Sequence, residues 1–223
     1  AVSTMDTGEL TEALASLVGA ELVYVRGAPP EATYVFKHAL VQDAAYASLL
    51  RARRQQLHTR IAEVLQDKFP EATERRPELL AFHYAAAGHE DRARKYWTLA
   101  GRQSMERSEY AEAGSHFVSA LTLLRKTADS TARQREEAQL VLDHQITQLG
   151  LKGASPEVGL IVEEAVKISL PLGDDPLHFR ARWAQWLWNS MSGNLPVASD
   201  YANGLVAMAG RLGNRDFKLQ AHH

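Results

Sequence analysis

The chain has 223 residues, a formal net charge of −2, no cysteine, 45% apolar and 23% charged residues. That length buries a real core and suits one large domain or two small ones, and the balance is that of a folded globular protein rather than a disordered one. Zero cysteines exclude a disulfide framework, a thiol nucleophile and any cysteine-ligated zinc or iron–sulfur site, while near-neutral charge argues against a protein whose main business is a nucleic-acid backbone. No apolar run approaches the roughly 18 residues of a membrane span, and the N-terminus lacks a basic-then-apolar export signal, so a cytoplasmic protein is expected. Alanine is abundant against only 14 Gly and 8 Pro, which favours packed helices.

The first element reads as a helix from Thr7 to Val18, capped by Asp6 with Glu9 as capping-box partner. Leu10, Ala13, Leu14 and Leu17 share one face. The period then changes. Leu22–Val25 and Thr33–Phe36 are short runs rich in β-branched and aromatic residues, joined by Arg26-Gly27-Ala28-Pro29-Pro30-Glu31, and they predict a β-hairpin. A helix, a hairpin and another helix form the back half of a winged-helix unit. DNA contact is disfavoured, because the helix that would enter a groove carries Asp6, Glu9 and Glu12, and no Lys or Arg precedes Arg26.

From His38 onward the pattern is helix after helix. Helices are expected over His38–Leu50 and Arg53–Phe69, followed by a short polar connection between Pro70 and Pro77. Further helices are read near 78–87, 90–107, 110–125, 132–150, 156–171, 176–192, 195–211 and from 214 on. Gly88 and Gly193 suit helix C-caps, and Ser155-Pro156 and Asp175-Pro176 suit helix starts. A weak internal repeat overlies this: Gly88-x4-Ala93-x3-Trp97-x2-Ala100 recurs as Ser108-x4-Ala113-x3-Phe117-x2-Ala120, with a poorer copy from Gly193 through Ala198, Ala202 and Leu205. A turn residue, a small residue where helices cross and a large residue filling the next groove make the second-helix half of a tetratricopeptide hairpin. Leu80, Ala81 and Tyr84 fit the first-helix half.

The expected fold is therefore mainly α: an irregular α-solenoid of tetratricopeptide-like helical hairpins, preceded by a partial winged helix with one β-hairpin. Residues 1–50 are assigned to the C-terminal part of the winged helix, 51–76 to a connecting helix and linker, and 77–223 to the solenoid, which is expected to be incomplete at its C-terminal end.

Catalytic patterns are missing: no G-x-x-x-x-G-K-[ST], no G-x-G-x-x-G, no H-E-x-x-H and no G-x-S-x-G. Among the nine histidines, His83 and His89 flank a helix end and His222-His223 closes the chain, without a second ligand at metal spacing. Arg51, Arg53, Arg54 and Arg60 cluster with His58, which reads as a solvated face or a contact with an acidic neighbour more readily than as a phosphate site. Phe179, Trp183, Trp186 and Trp188 make one helix dense in aromatics and are the candidate partner-binding residues. Core packing accounts for at least two of the three tryptophans, and Trp188, pointing away from the other two, is the candidate groove contact.

The run from Tyr34 through Phe36-Lys37-His38-Ala39-Leu40-Val41-Gln42-Asp43-Ala44-Ala45-Tyr46 to Leu50, with Arg53-Arg54-Gln55-Gln56-Leu57-His58 to Leu65 after it, resembles bacterial signal-transduction (STAND, AAA-type) ATPases. The stretch from Pro77 to Trp97 is similar to the same family, in its class III adenylate/guanylate cyclase-linked branch. The resemblance implies an upstream ATPase module, a winged helix closing over bound ADP, and helical repeats on which a protein partner or small effector shifts the protein to an ATP-bound, often oligomeric state. It also implies that His38 contacts a nucleotide phosphate, with ATP or ADP held on the upstream module. This chain has neither Walker motifs nor cyclase aspartates, so it is expected to be non-catalytic, a regulatory and interaction segment. Two alternatives stay open: a small-molecule sensor with an apolar pocket between repeats, and an oligomerisation scaffold.

Overall fold

The computed structural model describes residues 3, 5–28, 32–173, 175–213 and 216–217. It is mainly α and divides into two compact units, Ala1–Arg75 with Phe82–His89, and Arg76–Ala81 with Glu90–His223. The helix Pro77–Ala87 is thus divided between them.

The first unit opens with α1 (Thr7–Gly19), whose N-cap Asp6 accepts hydrogen bonds from the amides of Gly8 and Glu9. Strands β1 (Val23–Arg26) and β2 (Thr33–Phe36) pair antiparallel, with Val23 opposite Phe36 and Arg26 opposite Thr33. The expected turn prolines Pro29 and Pro30 lie outside the described residues, as do the terminal histidines. Of the two strands only Val23 is buried, while Tyr24, Val25 and Val35 are exposed. Helix α2 (Ala39–Ser48) likewise buries no residue, and Leu40 is 82% exposed. Helix α3 (Arg51–Lys68) buries His58 and Ala62.

The segment between Pro70 and Pro77, expected as a short polar connection, is a helix, α4 (Pro70–Arg75), with Thr73 buried and its hydroxyl bonded to the Pro70 carbonyl. Proline at the first helical position gives up no needed donor, so it starts this helix instead of interrupting the chain. Tyr84, on α5 (Pro77–Ala87), was expected to fill the first half of a repeat. It is buried in the first unit, donating its hydroxyl to Gln66 Oε1 of α3 at 2.9 Å.

The second unit is an α-solenoid of helical hairpins, α6 (Glu90–Glu106), α7 (Tyr110–Leu124), α8 (Thr131–Lys152), α9 (Pro156–Ser169), α10 (Pro176–Met191) and α11 (Leu195–Leu212). Each of these helices packs on the next, and α8 also reaches α10. The repeat read from sequence has a geometric basis. Gly88, Ser108 and Gly193 all take left-handed backbone (φ 82°, 59° and 79°), reversing the chain before α6, α7 and α11. The small residues Ala93, Ala113 and Ala198 are buried at the helix crossings. Phe117 is fully buried because Gly101 on α6 leaves room for its ring; a Cβ there would stand 2.5 Å from Phe117 Cε1. At the helix starts Asp175 caps α10 through the Leu177 amide, whereas Ser155 occupies the cap position of α9 without a side-chain capping bond.

Candidate functional site

Helices α6, α8 and α10 line two hollows on one side of the second unit. On α6 the lining stripe is Asp91, Arg94, Lys95, Thr98, Leu99 and Arg102, at helical spacings of three and four. With Glu136, Gln139 and Leu140 of α8 it lines an open cavity of about 410 Å³. Further along α8, Leu142, Gln145 and Ile146 join Arg180, Trp183 and Ala184 of α10, with Phe217 beyond α11, around a second hollow of about 180 Å³. Arg180 on α10 joins the two, because it donates to Gln139 Oε1 at 2.7 Å.

Asp143 of α8 sits at the junction. Its side chain is only 14% exposed, between Arg102 Nη2 at 3.7 Å and Arg180 Nη2 at 3.9 Å. The Gln139 amide donates to its Oδ1 at 2.6 Å, while Oδ2 is buried without a hydrogen-bond partner. Burial pushes its carboxyl above the usual carboxylate range, with Arg102 and Arg180 pulling the other way. Nearer the N-terminus of α6, Arg94 is neutralised by Asp91 (3.2 Å) and Glu136 (2.9 Å).

Of the aromatic residues singled out in the sequence, Trp183 reaches this groove. Phe179 does not: it is fully buried in a cluster with Leu205, Met208 and Ala209, so it has no surface to offer a partner. Trp186 is half-buried against the same cluster, its ring 5.8 Å from that of Trp183. Trp188 turns to α9, where its Nε1 donates to the Ser155 carbonyl at 3.0 Å and its ring covers Gly159, so it is committed to packing rather than to the groove. His38 is exposed at the N-cap position of α2 and makes no capping bond with its side chain.

A second polar cluster, in the first unit, joins His58 and His83, two histidines noted in the sequence but not as a pair. His58 of α3 and His83 of α5 share a hydrogen bond between their Nδ1 atoms at 2.9 Å, and the Tyr46 hydroxyl of α2 bonds His58 Nε2 at 3.0 Å. Phe82 stands edge-on to both imidazoles. Burial holds both histidines below their ordinary range, and for His83 the neighbouring His58 adds to it. One Nδ1 must donate and the other accept, so the bond survives one added proton but not two. Among the described residues no group of three or more His, Asp or Glu is placed to hold a metal ion, and no helix is long and apolar enough to cross a membrane.

No family model matches the chain. It is similar to an uncharacterized protein of Rhizobium meliloti (strain 1021), with 26% identity over 198 residues that make up 87% of this chain. The chain spans only 19% of that relative's length. Among solved structures it is similar to a Podosopora anserina kinesin light chain with nearly identical TPR-like repeats, at 12% identity and a TM-score of 0.45, covering 79% of this chain and 98% of that one. A variant of the same protein gives 11% identity and a TM-score of 0.46, covering 93% and 98%.

Proposed function

We propose that this chain is a non-catalytic, partner-binding region of a longer signalling protein, in which a protein segment held in the α6–α8–α10 groove regulates a nucleotide module elsewhere in the chain. The observation that carries the reading is the groove itself. Side chains of three alternate helices of the solenoid line two hollows on one side, and the Arg180–Gln139 hydrogen bond spans the ground between them. An open, elongated surface suits a chain segment, whereas a small-molecule sensor needs an enclosed apolar cavity.

Two observations support the signalling half of the proposal. The relative from Rhizobium meliloti is about five times as long as the matched region, which leaves room for further domains. The resemblance of residues 34–65 and 77–97 to cyclase-linked signal-transduction ATPases suggests what those domains are. In that arrangement residues 1–50 are the C-terminal part of a winged helix, ATP or ADP sits on the ATPase module, and His38, which is exposed and makes no capping bond, meets a phosphate.

Photo-crosslinking in cells that make the full-length protein tests the groove. A benzoylphenylalanine in place of Leu99 or Ile146, both exposed in the groove, should capture a partner that Val118 or Leu160, exposed on α7 and α9, does not. Capture from Val118 or Leu160 alone would overturn the reading.

A further inference from the structure

The histidine cluster of the first unit is built so that protons change its bonding in two steps. While both imidazoles are neutral, one Nδ1–H donates to the other Nδ1 across 2.9 Å, and the Tyr46 hydroxyl pairs with His58 Nε2 at 3.0 Å. A first proton belongs on His58, because that imidazolium donates through Nδ1 to His83 and through Nε2 to the Tyr46 oxygen, keeping both bonds. A second, on His83, sets N–H against N–H between two like charges. The titratable and charged groups around the pair are Tyr46 on α2, Arg54 on α3 and His89 after α5. The Arg54 guanidinium lies 5.2 Å from the Tyr46 ring centroid, and His89 is bonded to the Thr59 hydroxyl at 3.1 Å. Among the described residues no carboxylate bonds either imidazole, so the second charge meets no counter-anion.

The helices around the pair are held unequally. Helix α5 is fixed to α3 by buried Tyr84, whose hydroxyl donates to Gln66, and by the His89–Thr59 bond. Helix α2 buries no residue. Among the described residues its side-chain bond to α3 is the one from Tyr46 to His58, supported by the Tyr46 ring, which stands edge-on to His58 and beneath Arg54. Repulsion from His83 therefore acts, through His58, on the helix that is least secured. We propose that Tyr46, His58 and His83 form a proton-operated latch holding α2 against α3, and that the doubly protonated pair releases α2 with the helices themselves intact. Burial, which holds both imidazoles below their ordinary range, keeps the latch closed at neutral pH.

The chain has no cysteine, so nitroxides attached at Asp43→Cys on α2 and Glu63→Cys on α3, both exposed, label only those two positions of the whole chain. Their separation is read by double electron–electron resonance on samples frozen from pH 7.5 down to pH 4.5. It should be narrowly distributed at the upper end, and about twofold broader with a longer mean at the lower end. Far-ultraviolet dichroism should keep its helical amplitude. His83→Gln, whose amide donates or accepts but takes no proton, should keep the narrow distribution throughout. Carboxylates that protonate over the same range are common to both proteins, so this variant isolates the pair. Tyr46→Phe should give the broad distribution already at pH 7.5. An unchanged distribution in acid, equal broadening in His83→Gln, a narrow Tyr46→Phe distribution at pH 7.5, or loss of helix in step with the release would overturn the inference.

Discussion

Replacing Gly159 by alanine sets two calculable effects against each other. In an exposed helix, alanine is favoured over glycine by about 1 kcal/mol. On α9, however, the new methyl would stand 2.6 Å from Trp188 Cζ2 and 2.9 Å from Cε2. Carbon atoms are comfortable at about 3.6 Å, so ring or helix must retreat by roughly 1 Å. The ring is not free to do so, because its Nε1 is tied to the Ser155 carbonyl. Overpacking of this kind costs about 1–3 kcal/mol, and stretching that hydrogen bond adds about 1 kcal/mol. The net expectation for Gly159→Ala is a loss of about 1–3 kcal/mol, read as a lower urea midpoint followed by far-ultraviolet dichroism and tryptophan fluorescence together. In a Trp188→Leu background the clash is gone, and the same substitution should become neutral or stabilising by up to about 1 kcal/mol. A Gly159→Ala protein more stable than the parent, or an equal effect in both backgrounds, would refute the packing argument.

Acid should weaken the first unit through its histidine pair. His58 and His83 titrate below their unfolded value of about 6.5, so the unfolded chain binds more protons and stability falls as pH drops through 6.5 toward the lowered folded values. The urea midpoint should fall from pH 7 to pH 5, and His83→Gln should flatten part of that slope; an unchanged slope would count against the pair. Asp143 acts in the opposite sense. Its raised folded value favours the fold below the unfolded carboxylate range and loses that contribution as pH rises, so Asp143→Asn should not weaken the second unit at neutral pH in a thermal melt. Ser108 takes left-handed backbone at φ 59°, which costs a non-glycine residue roughly 1–2 kcal/mol, against about 0.4–1 kcal/mol of extra unfolded-state entropy for glycine. Ser108→Gly should therefore gain about 0.5 kcal/mol in a denaturant titration, and a destabilised variant would contradict the turn assignment. On the proposed reading, in which a nucleotide module accompanies this region, His38→Ala in a protein carrying both should speed ADP release as followed with a fluorescent ADP analogue, and unaltered release would refute the proposed phosphate contact of His38.

Most element types were legible because local chemistry governs them. The Asp6 cap, the change of period at Val23 and the reversals at Gly88 and Gly193 each depend on a few neighbouring residues. The helix Pro70–Arg75 was missed because six residues between two prolines are too few to show a period and read only as a short polar connection, although a proline in the first turn is a helix start. Tyr84 matched a repeat pattern by type, but its partner Gln66 lies 18 residues away, and a pattern carries no information on such a partner.

The charged stripe of α6 was equally visible as spacing, yet a stripe alone reads as a solvated face. That Arg102, Asp143 and Arg180 meet follows only from stacking α6, α8 and α10 onto one side, across separations of 41 and 37 residues. Likewise Trp183, Trp186 and Trp188 were indistinguishable as aromatic content; Gly159 and the Ser155 carbonyl captured one of them, and the groove received another. The sequence by itself determined an α-rich, cysteine-free chain without catalytic motifs, since composition, caps and periodicity are local properties. The tertiary structure alone decided which polar faces converge, because charge pairing and burial depend on distances between residues far apart in the chain.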